Sequence, residues 1–193
     1  MAKIYYLMGK SASGKDTLYK RLLQECPKLE TVVLYTTRPI RAGETDGVEY
    51  HFTTSDHLER LKQQGLVIEQ RTYQTVFGPW SYATVDDGQI DLNKASYLII
   101  GTLESYQAMR NYFGEDCLVP LYIQLDDGLR LMRAVTRERQ QKEPRYTELC
   151  RRFLADEEDF CKKNLDDCGI TRSFTNDDME LCVKHLMSIM ETE

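Results

Sequence analysis

The segment Gly9-Lys10-Ser11-Ala12-Ser13-Gly14-Lys15 sits between a short β-prone run, Ile4–Met8, and a stretch of helical pattern, Asp16–Glu25. A glycine-bounded turn that leaves a buried strand and opens a helix curls its backbone, so that successive N–H groups converge. The helix N-terminus adds partial positive charge to them. Lys15 then puts a full charge at the helix start, and the spacing follows the GxxxxGK pattern of phosphate cradles. Gly9, Ser11, Ser13, Gly14, Lys15, Asp16 and Thr17 are the candidate contacts for a nucleoside triphosphate. The hydroxyl residue that usually follows the lysine is replaced by Asp16, a hard oxygen donor suited to Mg²⁺ and the candidate metal ligand. Its charge also repels a triphosphate, whereas Thr17 offers a neutral hydroxyl to a phosphate.

Downstream, β-prone runs at Thr31–Tyr35, Tyr97–Ile100, Leu118–Leu125 and Ile170–Phe174 alternate with helical patterns. The helical stretches are Ser55–Gln64, Leu103–Tyr112, Gly128–Gln140, Thr147–Lys163 and Asp177–Glu191. Such alternation predicts an α/β fold with a mainly parallel central sheet flanked by helices. With 193 residues there is room for a single domain. Its core is expected at 1–35, 91–127 and 165–193. Residues 36–90, rich in Tyr, Thr, Gly and Arg, predict a small mixed α/β insertion, and 128–164 an Arg-rich helical lid. Both are the kind of segment that covers a phosphate site.

The net charge of −6 argues against nucleic acid or an anionic membrane as partner. No apolar run approaches the ~18 to 20 residues of a membrane span, so a cytoplasmic protein is expected. The six cysteines form no CxxC pair and no zinc spacing, and the three histidines are scattered. Against this acidic background, Arg130, Arg133, Arg137, Arg139, Arg145, Arg151 and Arg152 cluster in one span: either a local anion site or a solvated helix face.

The second informative segment is Thr36-Thr37-Arg38-Pro39-Ile40-Arg41-Ala42-Gly43-Glu44, continuing through Asp46-Gly47 to Tyr50-His51-Phe52. Guanidinium groups grip phosphate oxygens in a planar fork, so Arg38, Arg41 and Tyr50 are candidates to hold a monophosphate acceptor. This segment resembles TTRxxRxGExxGxxYxF of the guanylate kinase family. With the phosphate loop and later elements, the resemblance spans nearly the whole chain. It implies a P-loop kinase fold that uses ATP and Mg²⁺ to phosphorylate GMP and dGMP, acting on small molecules as a monomer or homodimer.

The same resemblance assigns the acceptor phosphate to Arg38, Arg41 and Tyr50, with Glu44 of the shared motif, and the reading of guanine to Glu69. A carboxylate accepts guanine's two adjacent N–H donors and is left unpaired by adenine, which supports that assignment. Arg133, Arg137 and Arg152 match lid arginines that clamp ATP and the transferring phosphoryl group, a task Arg139 and Arg145 are placed to share. Arg133 and Arg137 lie one helical turn apart on a common face. Asn176, in Thr175-Asn176-Asp177-Asp178, matches a residue beside the adenine.

The chain departs from the family at four further places. Phe77 stands where a tyrosine touches the acceptor phosphate, with Tyr82 or Tyr73 as the substitute. Leu34 stands in place of a guanine-reading serine. Ile100 and Thr102 occupy the positions of strand-end aspartates, with Glu104 the nearest carboxylate. These departures leave two alternatives to GMP phosphorylation: a sister kinase for another phosphorylated acceptor, such as a deoxynucleotide or ribose phosphate, and a catalytically impaired nucleotide- or protein-binding module.

Overall fold

A computed structural model describes residues 2–41, 43–75 and 78–192. Its central strand, β1 (Ile4–Gly9), is buried from end to end, as its unbroken Ile-Tyr-Tyr-Leu-Met sequence requires. It pairs in parallel with β6 (Tyr97–Ile100) on one side and β7 (Leu118–Gln124) on the other. A short β8 (Ser173–Thr175) extends the sheet beyond β7, giving the order β6-β1-β7-β8. Side chains of β1 alternate between two apolar layers. Tyr5 and Leu7 pack with Leu18 and Leu22 of α1 (Lys15–Glu25) and with Val183 and Leu186 of α7 (Met179–Thr192). Ile4, Tyr6 and Met8 face Tyr106 and Met109 of α3 (Leu103–Phe113).

A second, mixed sheet has the order β3-β2-β5-β4. It comprises β2 (Tyr35–Thr36), β3 (His51–Phe52), β4 (Val67–Thr75) and β5 (Gly78–Val85). Leu58 and Leu61 of α2 (Ser55–Gln63) cover its back against Ala83 and Val85. Helices α4 (Asp127–Arg139) and α5 (Tyr146–Asp159) form a hairpin beside the first loop, followed by a short α6 (Lys162–Asp167). Among the described residues no helix is long and apolar enough to cross a membrane. All six cysteines are free thiols.

Three expectations are corrected. Residues Thr31–Leu34 form no strand of the central sheet. Only Glu30 bridges Tyr97 there, and Tyr35 belongs to the second sheet. The side-chain amide of Gln89 takes the place of a neighbouring strand, accepting from the Val33 N–H at 2.7 Å and donating to its carbonyl at 3.3 Å. The continuous helix expected over Thr147–Lys163 breaks at Phe160, which is buried and stacked on Tyr122 with ring centroids 5.5 Å apart. Asn164 then donates to the carbonyls of Glu158 and Asp159, satisfying the end of α5. The strand expected at Ile170–Phe174 is shorter and later, Ser173–Thr175.

Because β7 lies inside the sheet, Leu121, fully buried, is a position where lost volume cannot be refilled. Leu121→Ala is expected to cost about 2–5 kcal/mol in urea unfolding. Leu131→Ala, at a position 37% exposed on α4, should stay within about 0.5 kcal/mol.

Candidate active site

The phosphate loop leaves β1 at Gly9 and enters α1 at Lys15. Ala12 (φ 62°) and Gly14 (φ 89°) both take left-handed backbone, a conformation that is strained for alanine and free for glycine. Gly14 brings no side chain to cap the first-turn amides of α1, so they point out of the helix toward the loop. The loop is held from beneath by Asn176, whose side-chain amide donates to the Ser13 carbonyl at 2.7 Å. Asn176 and Ser13 are both buried to 1%, and the Asn176 Oδ1 and Ser13 Oγ are without a hydrogen-bond partner. The position expected beside an adenine is therefore occupied by a residue that braces the loop. Lys15 is half-buried, while Asp16 and Thr17 are exposed on the first turn of α1.

The lid hairpin is tied to this loop by charge. Arg130, 1% exposed, donates to the Ser11 carbonyl at 3.1 Å and pairs with Asp127, Asp156 and Glu157. Its guanidinium lies 4.7 Å from the ring centroid of Phe153. Asp156 accepts from the Ser11 N–H at 2.8 Å, and Glu157 binds Lys10 at 2.6 Å. Burial opposes the Glu157 charge, yet Lys10 and Arg130 outweigh it and hold its carboxyl below the usual range. Arg130 is thus a structural hub and not a free member of the basic cluster.

Arg133 is exposed and reaches back to the Asn176 carbonyl at 3.2 Å. Arg137, Arg145 and Arg152 line a cavity of about 630 Å³ between the two lid helices, with Ser11 also in its lining. Arg152 is held by Glu148 at 2.8 Å, and Arg151 and then Arg152 pull that carboxyl down to about 2.

On the acceptor side Arg38 is 4% exposed, stacked 5.0 Å over Tyr50 and 5.2 Å over Phe52. Glu44 grips it with both oxygens, at 2.5 and 2.7 Å, and also accepts the Arg41 backbone N–H at 2.8 Å. Glu44 therefore orients Arg38, where direct contact with an acceptor was expected of it. Its carboxyl sits at about 2, chiefly because of Arg38. The Arg41 side chain is exposed. Tyr82 lies edge-on to Tyr50 and to Tyr73, with centroids 5.7 and 5.9 Å apart. Phe77 lies outside the described residues.

Strand alternation puts Glu69, Arg71 and Tyr73 on one face of β4, with Thr84 opposite Glu69 and Tyr82 opposite Arg71. Glu69 is buried and bonded to Arg71 and to Thr84. Thr102 caps α3 and accepts from Arg71 at 3.2 Å, which joins the second sheet to the central one. Leu34 and Ile100 are half-buried, and Glu104 is exposed on the first turn of α3, where it lines a cavity with Tyr73 and Thr102. Sequence reading missed Arg71, although an opposite charge two residues from Glu69 on a strand was a visible sign. It also missed Asp127, Asp156 and Glu157, acidic residues of the two lid helices that balance the arginines.

Among the described residues no group of three or more His, Cys, Asp or Glu side chains gathers as a metal cage. Mg²⁺ is commonly held by one carboxylate, substrate phosphates and water. An exposed Asp16 beside the loop fits that donor set.

A family model described as guanylate kinase matches residues 1–193. The guanylate kinase of Neisseria gonorrhoeae is 39% identical over 97 residues, covering 50% of this chain and 45% of that relative. That of Aliivibrio fischeri is 38% identical over 94 residues, covering 44% of each. In these matches the chain spans about half the length of the curated relatives. A solved guanylate kinase from Anaplasma phagocytophilum shares the fold, with TM-score 0.62 at 20% identity, over 98% of this chain and 85% of that one. With the family model matched from end to end, this chain belongs to the guanylate kinase family.

Proposed function

We propose that this chain transfers the γ-phosphoryl group of ATP to GMP and dGMP, as one domain built of core, acceptor-binding insertion and lid. The observation that supports the reading is a phosphate loop together with a second set of buried charged groups, Arg38 and Glu69, suited to an anion and to a base's N–H donor. Both belong to the region of the second sheet, which the Arg71–Thr102 bond ties to the end of the central one. A hydrolase needs only the first of these features. The names of the relatives point the same way.

In this reading the loop amides and Lys15 hold the β- and γ-phosphates, with Ser11, Ser13 and Thr17 offering hydroxyls. Arg38, Arg41, Tyr50 and Tyr82 hold the acceptor phosphate. Arg38 spends Nη1 and part of Nη2 on Glu44 and Pro39, which leaves Nε and an Nη2 hydrogen for phosphate oxygens. No general base is required, since an ionised acceptor phosphate oxygen is already a nucleophile. Arg133 and Arg137 bring positive charge over the transferring group, and Arg152 joins them by exchanging Glu148 for a phosphate oxygen. Asp16 is the residue that would hold Mg²⁺, which neutralises phosphate charge when bound with the nucleotide. The activity is assigned to the cytoplasm, to a monomer or homodimer, with neither nucleic acid nor membrane as partner.

A coupled ADP-release assay with ATP, Mg²⁺ and GMP, dGMP, AMP, CMP, UMP and ribose phosphates tests this directly. Turnover is expected for GMP and dGMP alone; turnover of a different acceptor in that panel in their place would replace the proposal. Arg38→Met should lower kcat/KM for GMP about 10- to 100-fold, the worth of one charge-assisted contact, while ATP affinity is unchanged.

The Glu44 carboxyl also makes a pH prediction. Its folded pKa of about 2 lies below the ordinary 4.5, so its stabilisation is full above pH 4.5 and lost as pH falls toward 2. Urea melts of Glu44→Gln against the parent should therefore differ above pH 4.5 and converge in acid. A gap that widens in acid would contradict this pairing.

A further inference from the structure

Glu69 reaches the cleft already engaged. Its Oε1 accepts from Thr84 Oγ1 at 2.8 Å and from Arg71 Nη2 at 3.3 Å, and its Oε2 accepts from Arg71 Nε at 3.0 Å. A carboxylate oxygen has two lone pairs, so Oε1 is filled and Oε2 can take one more hydrogen. Two adjacent N–H donors of a base, one for each oxygen, cannot both be received in this arrangement. The partner is equally constrained. Arg71 spends Nε and Nη2 on Glu69 and Nη1 on Thr102 Oγ1 at 3.2 Å, and retains a hydrogen on each terminal nitrogen.

Both side chains are largely withdrawn from water, Glu69 at 6% and Arg71 at 13% exposure, so neither charge can be left unmatched. Arg71 stands on β4 between Glu69 and Tyr73 and opposite Tyr82, in the line that runs from the base pocket to the acceptor-phosphate tyrosines. The pair therefore presents a donor beside an acceptor. The 6-oxopurine edge, O6 followed by N1–H, is an acceptor beside a donor and is its complement. Adenine offers the 6-amino donor and a bare N1, reversed at both points.

We infer that Arg71 is a specificity-determining residue that donates to O6 of the acceptor base while Glu69 Oε2 accepts from N1–H, so that the acceptor class is the 6-oxopurine nucleoside monophosphates. The inference rests on the GMP reading above and adds to it. The 2-amino group of guanine finds no uncommitted oxygen on Glu69 and contributes little.

The test compares kcat/KM of the full chain and of Arg71→Met and Arg71→Lys for three acceptors. GMP carries every feature, IMP lacks only the 2-amino group, and 2-aminopurine riboside 5′-monophosphate lacks both O6 and the N1–H, so that it is the change of its ratio on altering Arg71, not the ratio itself, that isolates the O6 contact. For the parent, IMP should fall within about 10-fold of GMP, because the 2-amino contact is at most one weak hydrogen bond. The GMP to 2-aminopurine ratio should shrink about 10- to 100-fold in Arg71→Met, the worth of a charged contact to O6. Arg71→Lys keeps the charge but not the fork that serves Glu69 and base together, so its ratio should shrink as well. It carries the test if the methionine variant fails to fold.

A ratio unchanged in the folded variants, with all acceptors slowed equally, would make Arg71 a structural tie only and overturn the inference. So would a loss of more than about 100-fold on IMP in the parent, since Glu69 would then be receiving both donors. Absence of GMP turnover in the parent would instead count against the proposed function itself.

Discussion

Buried charge must be matched, and in this chain the matching holds the lid hairpin against the phosphate loop. Arg130 is almost wholly buried, and its partners Asp127, Asp156 and Glu157 belong to the two helices of the lid, while its Nε is given to the Ser11 carbonyl. Removing any one member would strand the others in a medium that penalises unpaired ions heavily. The network fixes where the lid hairpin stands relative to the phosphate loop. Arg133, Arg137 and Arg152, by contrast, stay exposed on the same two helices.

The loop depends on a second brace. Left-handed backbone at Ala12 and Gly14 is held because Asn176 takes the Ser13 carbonyl from below and Asp156 takes the Ser11 N–H from the side. The second sheet repeats the device. Arg38 is aimed by Glu44 and stacked on two rings, and Glu69 is aimed by Arg71 and Thr84. In each case a candidate binding group is held in place by a charged or polar neighbour before any ligand arrives, which lowers the ordering cost of binding.

How much of this could be read from residues alone follows from range. The glycine loop and the Arg38–Tyr50 segment are local, so spacing carried their meaning. The Arg130 network joins residues far apart in sequence, and the basic cluster alone gave no sign of which arginine would be buried. Asn176 read, through the family resemblance, as a residue beside an adenine; its brace on the phosphate loop was not legible, because the contact lies 163 positions away in Ser13. Residues Thr31–Leu34 read as a strand since their composition suits one, yet a single glutamine side chain satisfies Val33. The break at Phe160 was invisible to helical periodicity, since what ends α5 is a stacking contact with Tyr122 across the core.

In the proposed reading, donor phosphates lie on the Gly9–Lys15 loop and the acceptor base on the Arg71–Glu69 pair. A crystal structure with a bisubstrate ligand, adenosine and guanosine joined through a phosphate chain, tests it most directly. Phosphates are expected along Gly9–Lys15, an acceptor-side phosphate on Arg38, and the guanine O6 edge on Arg71 and Glu69. A guanine seated in the lid cavity by Arg137 and Arg145, with Glu69 and Arg71 untouched, would contradict it.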